Sequence, residues 1–144
     1  MVTVYDVDAL KLIKKTAQKL EEMNLEMPAW VGNVKSGAHA ERLPQDDKFW
    51  YIRCASILRK AYLNPRIGVS RLRTHYGGRK DRGVKPEKHR RAGGSTIRKG
   101  MQALEKAELL KKGKVGRELA PKGRKLLDAA AKLVADEADG KKEE

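Results

Sequence analysis

Apolar residues recur at spacings of three and four through Val7, Leu10, Ile13, Ala17, Leu20 and Met23. That spacing predicts a first amphipathic helix, with Asp6 as its cap. Glu21 and Glu22 close it, and Pro28 opens an irregular stretch containing Trp30, Gly32 and Gly37. A second helix, capped by Asp46 or Asp47, runs to about Tyr62. Asn64-Pro65 stops it, because the residue before proline is pushed out of the helical region. On this helix Trp50, Cys54, Ile57 and Ala61 fall in one stripe, while Phe49 and Ile52 point away from it. Apolar groups on more than one side predict a central helix packed by several neighbours. The same reasoning places Phe49-Trp50-Tyr51 in the core, with base stacking as the alternative, and makes Cys54 a small buried hydrophobe.

A short third helix spans Val69 to His75, with Leu72 and Tyr76 inward, Arg71 and Arg73 outward, and Gly77-Gly78 at its end. Residues 79–94 read as a long loop. Ser95 then caps a fourth helix reaching Glu108, with Ile97, Met101 and Leu104 inside and Arg98, Lys99 and Gln102 outside. Leu109-Leu110 and Glu118-Leu119 flank a glycine-containing tip, the pattern of a two-stranded wing. Pro121 suits the first turn of a fifth helix with apolar Leu126, Leu127, Ala130, Leu133 and Val134. The expectation is a mainly α fold, helices packed around a central one, winged-helix-like with a short β wing. Residues 1–135 form one such domain, and residues 136–144 a charged, frayed tail. One feature is foreign to the motif. A helix-turn-helix joins its helices by about three or four residues, whereas residues 77–94 intervene here.

Charge changes the picture. The 144 residues carry 33 Lys+Arg against 19 Asp+Glu, a net +14. Most of the excess lies in residues 66–99, with 12 basic and 2 acidic side chains. Such a balance points to a polyanionic partner, nucleic acid or an anionic membrane surface. The longest stretch without Asp, Glu, Lys or Arg is Met27 to Val34, far short of the roughly twenty apolar residues of a bilayer span. No secretory leader is read at the N-terminus, and a single cysteine suits a reducing, cytoplasmic setting. The 79–91 stretch holds Arg79, Lys80, Arg82, Lys85, Lys88, Arg90 and Arg91 with only Val84 as a sizeable aliphatic group. Its small apolar content predicts a loop mobile in the free protein and ordered on a polyanion.

Catalytic chemistry finds no footing. His39, His75 and His89 are far apart and lack a cysteine pair beside them, so no zinc spacing exists. Gly78 to Gly83 matches half of a phosphate-binding loop but continues Val84-Lys85-Pro86. No metal, cofactor or catalytic role is expected. His75 and His89, in basic surroundings, are phosphate contacts or solvent-facing groups.

Six ordered motifs carry a resemblance. They are Phe49-Trp50-Tyr51-Ile52-Arg53-Cys54-Ala55-Ser56, Tyr76-Gly77-Gly78, Gly83-Val84-Lys85-Pro86, Gly94-Ser95, Gln102-Ala103-Leu104-Glu105 and Gly116-Arg117-Glu118-Leu119-Ala120-Pro121-Lys122-Gly123. The chain resembles the S-nineteen-e family of archaeal and eukaryotic small-subunit ribosomal proteins, and an archaeal member in particular. It departs from the family at Cys54, in place of a usual Ala, and at Ala120, in place of a capping Thr or Ser. The resemblance implies residence in the head of the small subunit, bound to the 3′ head domain of rRNA beside neighbouring ribosomal proteins, and a part in maturation of the 30S subunit. The free protein is expected to be monomeric. Arg53, Arg59 and Arg98 carry over by motif as rRNA contacts, although Arg53 at the edge of the inner stripe could equally be a structural donor. With the charge pattern, the candidate RNA-binding set is Arg53, Arg59, Arg71, Arg73, Arg79, Lys80, Arg82, Lys85, His89, Arg90, Arg91, Arg98 and Lys99. The rival reading is a DNA-binding winged-helix regulator, with Arg98, Lys99 and Gln102 in a major groove.

Overall fold

The structure, a computed structural model, describes residues 1–143. A 3-10 turn, Val4–Asp6, precedes α1 (Ala9–Glu22), α2 (Phe49–Leu63) and α3 (Val69–Tyr76). Then follow β1 (Gly78–Arg82), β2 (Lys85–Arg90), α4 (Gly94–Lys106), β3 (Leu110–Lys112), β4 (Arg117–Leu119) and α5 (Pro121–Lys142). Helix α2 is central and packs against α1, α4, α5 and β4. Its Trp50, Cys54, Ala55, Ile57 and Leu58 are fully buried. The helix opposite has a small residue where the two backbones draw close: a Cβ on Gly100 of α4 would stand 3.3 Å from Ile57 Cδ1 and 3.5 Å from Cys54 Sγ.

The wing is as expected. Strands β3 and β4 pair antiparallel with Leu110 opposite Leu119 and Lys112 opposite Arg117. A single bridge residue from the preceding linker joins it. Ile67, between α2 and α3, exchanges both backbone hydrogen bonds with Arg117, at 2.9 and 2.8 Å. Arg117 also forms an ion pair with Glu105 of α4. The wing is thereby tied to α4 and to the linker between α2 and α3.

Several local expectations are corrected. The first helix is capped by Asp8, whose carboxylate accepts from Lys11 N at 3.3 Å. Asp6 instead turns back to accept from the Thr3 amide at 2.8 Å. The inward stripe of α1 is Leu12, Thr16, Ala17 and Leu20, while Leu10 and Met23 are exposed. Thr16 can be buried because its hydroxyl donates to the Leu12 carbonyl at 2.8 Å, and that buried polar residue disguised the apolar stripe. Neither Asp46 nor Asp47 caps α2. Asp46 accepts from the Lys48 amide at 2.9 Å in the preceding turn, leaving Lys48 at the cap position. Ser95 lies inside the first turn of α4, and Gly93 takes the cap position without a side-chain bond. Its place is set by backbone, since Ala92 N donates to Arg73 O at 2.9 Å and Gly93 N to Ser36 O at 2.8 Å. Helix α5 buries Ala131 and leaves Leu133 exposed. It continues through the charged residues to Lys142, so the stretch expected to fray is helical. Glu144, the last residue of that expected tail, lies outside the described residues.

The largest correction is to residues 79–94. They are no loop: β1 and β2 form an antiparallel hairpin between α3 and α4. The sequence pattern conceals it because every residue of β2 is exposed, so no alternation of apolar and polar positions marks the strand.

Where α5 meets the wing, a small residue is again required. A Cβ on Gly123 would run into the Leu109 carbonyl oxygen and sit 2.9 Å from Leu119 Cδ1. Alanine would add up to about 1 kcal/mol of helix propensity, but overpacking against backbone costs about 1–3 kcal/mol. Gly123→Ala is therefore expected to lower the thermal midpoint. An unchanged or higher midpoint in a calorimetric scan would show that the wing yields without cost.

Candidate nucleic-acid interface

The hairpin concentrates the charge. Arg82 and Lys85 face each other across a two-residue turn, Gly83-Val84. Gly83 has φ +70°, and a positive φ at the first central position is the glycine-demanding feature of a type II′ turn. The Asp81 carboxylate accepts from Gly83 N at 2.9 Å, and Arg82 Nη1 donates to Pro86 O at 3.3 Å. The register shifts between Lys80 and Arg82, giving β2 one extra residue. Pro86, which has no amide hydrogen to offer the ladder, belongs at such an irregularity. Glu87 pairs with Arg79 at 3.4 Å. Both acidic residues of the hairpin are thus occupied by its own fold. Among the described residues Lys80, Lys85, Lys88 and Arg90 have no carboxylate partner.

Arginines and close packing fasten the hairpin root. Arg73 Nε donates to Ala92 O at 2.9 Å, and Arg91 Nη2 donates to Ser70 Oγ at 2.6 Å and Ser70 O at 3.0 Å. The Tyr76-Gly77-Gly78 motif makes room here. A side chain on Gly77 would strike the Arg90 carbonyl, and one on Gly78 would stand 3.0 Å from the His39 ring. His89 folds back so that its Cε1 would lie 3.0 Å from a Cβ on Gly77.

Arg53 is half-buried, its guanidinium 4.0 Å from the Tyr76 ring centroid and 5.2 Å from that of Phe49. Burial lowers its pKa, with Tyr76 opposing the shift. Tyr76 in turn shares a 2.6 Å hydrogen bond with Ser56, and burial raises its pKa. This cation–π stack joins α2 to α3, a packing role for Arg53. Arg59 is also half-buried, with Nε enclosed and unpaired. Arg98 and Lys99 stand exposed on α4.

Arg71 joins Lys60 and Arg66, two cations absent from the candidate set, and His75. With them it lines a cleft of about 210 Å³ beside Ile67. An adjoining cleft of about 320 Å³ runs from Arg66 and Arg71 to Val115 and Gly116 at the wing tip. The available signal was position: Lys60 lies in the last turn of α2, and Arg66 follows the Asn64-Pro65 break within the most basic segment. His75 has its pKa lowered by burial first, then by Lys60 and Arg53, so at neutral pH it contributes a donor and no charge. The structure thus groups the cations as hairpin, hairpin root, linker cleft and α4 face. Among the described residues no set of His, Cys, Asp or Glu gathers to hold a metal ion.

Cys54 is enclosed between α2 and α4, and burial pushes its thiol pKa far above the usual range. Since the thiolate is the reactive form, the native protein at pH 8 should be inert to a disulfide-exchange reagent and react at the rate of global unfolding. Rapid labelling of the folded protein would contradict the burial.

The model of the family described as "Ribosomal protein S19e" matches residues 3–137. The chain is 47% identical over 142 residues to the small ribosomal subunit protein eS19 of Aeropyrum pernix, covering 95% of this chain and 92% of that protein. It is 41% identical to the eS19 of Emericella nidulans, covering 96% and 95% of the two chains. With the eS19 of Thermoplasma volcanium the identity is 42%, covering 93% and 90%.

Proposed function

The chain belongs to the ribosomal protein S19e family, a family of structural ribosomal constituents and not of enzymes, and from that premise we propose that it binds rRNA in the head of the small subunit. On this reading residues 1–135 act as one domain within the cytoplasmic ribosome, beside neighbouring small-subunit proteins, and support maturation of the 30S subunit. No membrane is involved, and among the described residues no helix is long and apolar enough to cross one.

The hairpin carries the proposal. Between α3 and α4, at the place where a helix-turn-helix keeps a short turn, it projects four cations, Lys80, Lys85, Lys88 and Arg90, whose side chains have no partner among the described residues. A DNA major groove accepts a helix or a two-stranded ribbon, and it is the family membership that turns this cationic hairpin toward the irregular phosphate surface of folded RNA. The hairpin cations supply attraction, while the arginines of its root hold its orientation. Arg71 with Lys60 and Arg66, and Arg98 with Lys99, supply further phosphate contacts. Arg53 serves by holding α2 to α3.

Binding to an rRNA head-domain fragment should weaken by about 0.7–0.9 log units per log unit of salt for each phosphate neutralised. Replacing Lys80, Lys85, Lys88 and Arg90 together by serine should flatten that slope by up to about 3, because each phosphate contact contributes roughly one unit. Helical content should not change, since none of the four side chains is buried. The same variant should fail to co-sediment with small subunits. A slope indifferent to these changes, or equally tight binding to unrelated duplex DNA, would overturn the reading in favour of a DNA-binding regulator.

A further inference from the structure

We propose that the cleft beside Trp30 receives an unpaired nucleobase and its phosphate, so that Trp30 is a stacking platform within the rRNA contact; this rests on the rRNA-binding reading above. Trp30 lies in the irregular segment between α1 and α2, half-buried and fixed by two turns. Val31 N donates to Pro28 O at 3.2 Å, and Asn33 N to Trp30 O at 3.0 Å. Trp30 lines a cleft of about 380 Å³, with Val34, Lys35, Ser95 and Lys99 on its walls. That volume lies within the roughly 300–1,000 Å³ of small-molecule sites. The Gly93 to Ser36 hydrogen bond, 2.8 Å long, holds the Lys35 segment against the start of α4.

Charge selects the occupant. No carboxylate lines this cleft, and neither Lys35 nor Lys99 has a carboxylate partner among the described residues. A smaller cleft, about 280 Å³, shares Trp30 and Lys99 with it and carries Glu26 paired with Lys106 at 2.7 Å. Glu26 is paired first with Lys106 and feels Lys99 only through space, so Lys35 and Lys99 keep free ammonium groups on the larger cleft. An aromatic face with cations beside it and no acid is the recognition chemistry of single-stranded nucleic acid, where bases stack and phosphates are neutralised.

The second tryptophan makes the test clean. Trp50 is fully buried, so quenching of fluorescence reports on Trp30. Titration with single-stranded hexa-adenylate at low salt should give saturable quenching, and a blunt RNA duplex of the same length should give little. By anisotropy of end-labelled hexa-adenylate, a readout independent of the tryptophan signal, Trp30→Ala should bind about 10-fold more weakly, as expected for loss of a base stack. Trp30→Phe should keep most of the affinity while losing the signal. If the alanine variant does not fold, Lys35→Ala/Lys99→Ala carries the test by weakening hexa-adenylate with Trp30 in place. No quenching by hexa-adenylate, or equal quenching by duplex, would overturn the site. Should hexa-adenylate fail while the same sample still binds the rRNA fragment in a salt-dependent way, the base site alone falls. Loss of both removes the rRNA reading beneath it.

Discussion

Everything in this fold depends on the enclosure of α2. A helix that opens Phe49-Trp50-Tyr51-Ile52 and carries Cys54, Ala55, Ile57, Leu58 and Ala61 has no side that can face water entirely. Each fully buried Leu- or Ile-sized side chain is worth about 1.5–3 kcal/mol relative to exposure. The remaining elements therefore take positions around it. Helices α1, α4 and α5 cover its faces, and β4 of the wing closes part of the remainder. Gly100 sets how near α4 approaches, and Gly123 how near α5 approaches the wing. The arrangement of cations follows indirectly, because the outer faces of α3 and α4 are whatever remains after their inner faces meet the core.

The same economy governs the charges. Acidic side chains are largely used where the fold needs them. Asp8 caps α1, Asp81 shapes the hairpin turn, Glu105 holds Arg117, and Glu26, Glu87 and Glu118 pair with neighbouring cations. The exposed pairs among these contribute little to stability. Their effect is on the field, since each cancels a nearby positive charge and leaves the hairpin and α4 as the unbalanced regions. Arg73, Arg91 and Arg53 show the converse use of cations, as braces to backbone, to a hydroxyl and to aromatic rings.

Much of this was legible in the chain because it rests on local rules. Spacing located all five helices, Asn64-Pro65 and Pro121 marked a stop and a start, and the glycine-containing tip announced the wing. The ordered motifs led to the family. What escaped detection depended on interactions without an apolar signature. Thr16 occupies a core position that its polarity hides. The caps of α1, α2 and α4 were misplaced because neighbouring Asp or Ser residues offered equally good local chemistry, and the choice fell to tertiary contacts such as Gly93 with Ser36. Arg66 and Lys60 join Arg71 only because Ile67 pairs with Arg117 and folds the linker beside the wing. The stretch richest in cations is the one that projects as a hairpin.

The hairpin also shows how strand structure can exist without a hydrophobic face. A flexible loop seemed the natural state of a segment with one aliphatic side chain, since ordering costs about 1–2 kcal/mol per residue. Three local devices oppose that cost here. The ladder pairs backbone groups from Gly78–Arg90 to Arg82–Lys85, Asp81 and Gly83 form the turn, and Arg73 and Arg91 fasten the root to α3. Repulsion among Lys80, Lys85, Lys88 and Arg90 works against all three. A bound polyanion relieves that repulsion, and by linkage whatever binds the folded hairpin more tightly than its opened form stabilises it. Charge placement and hairpin stability are therefore one coupled property: the cations that weaken the free hairpin are those through which a bound polyanion would strengthen it.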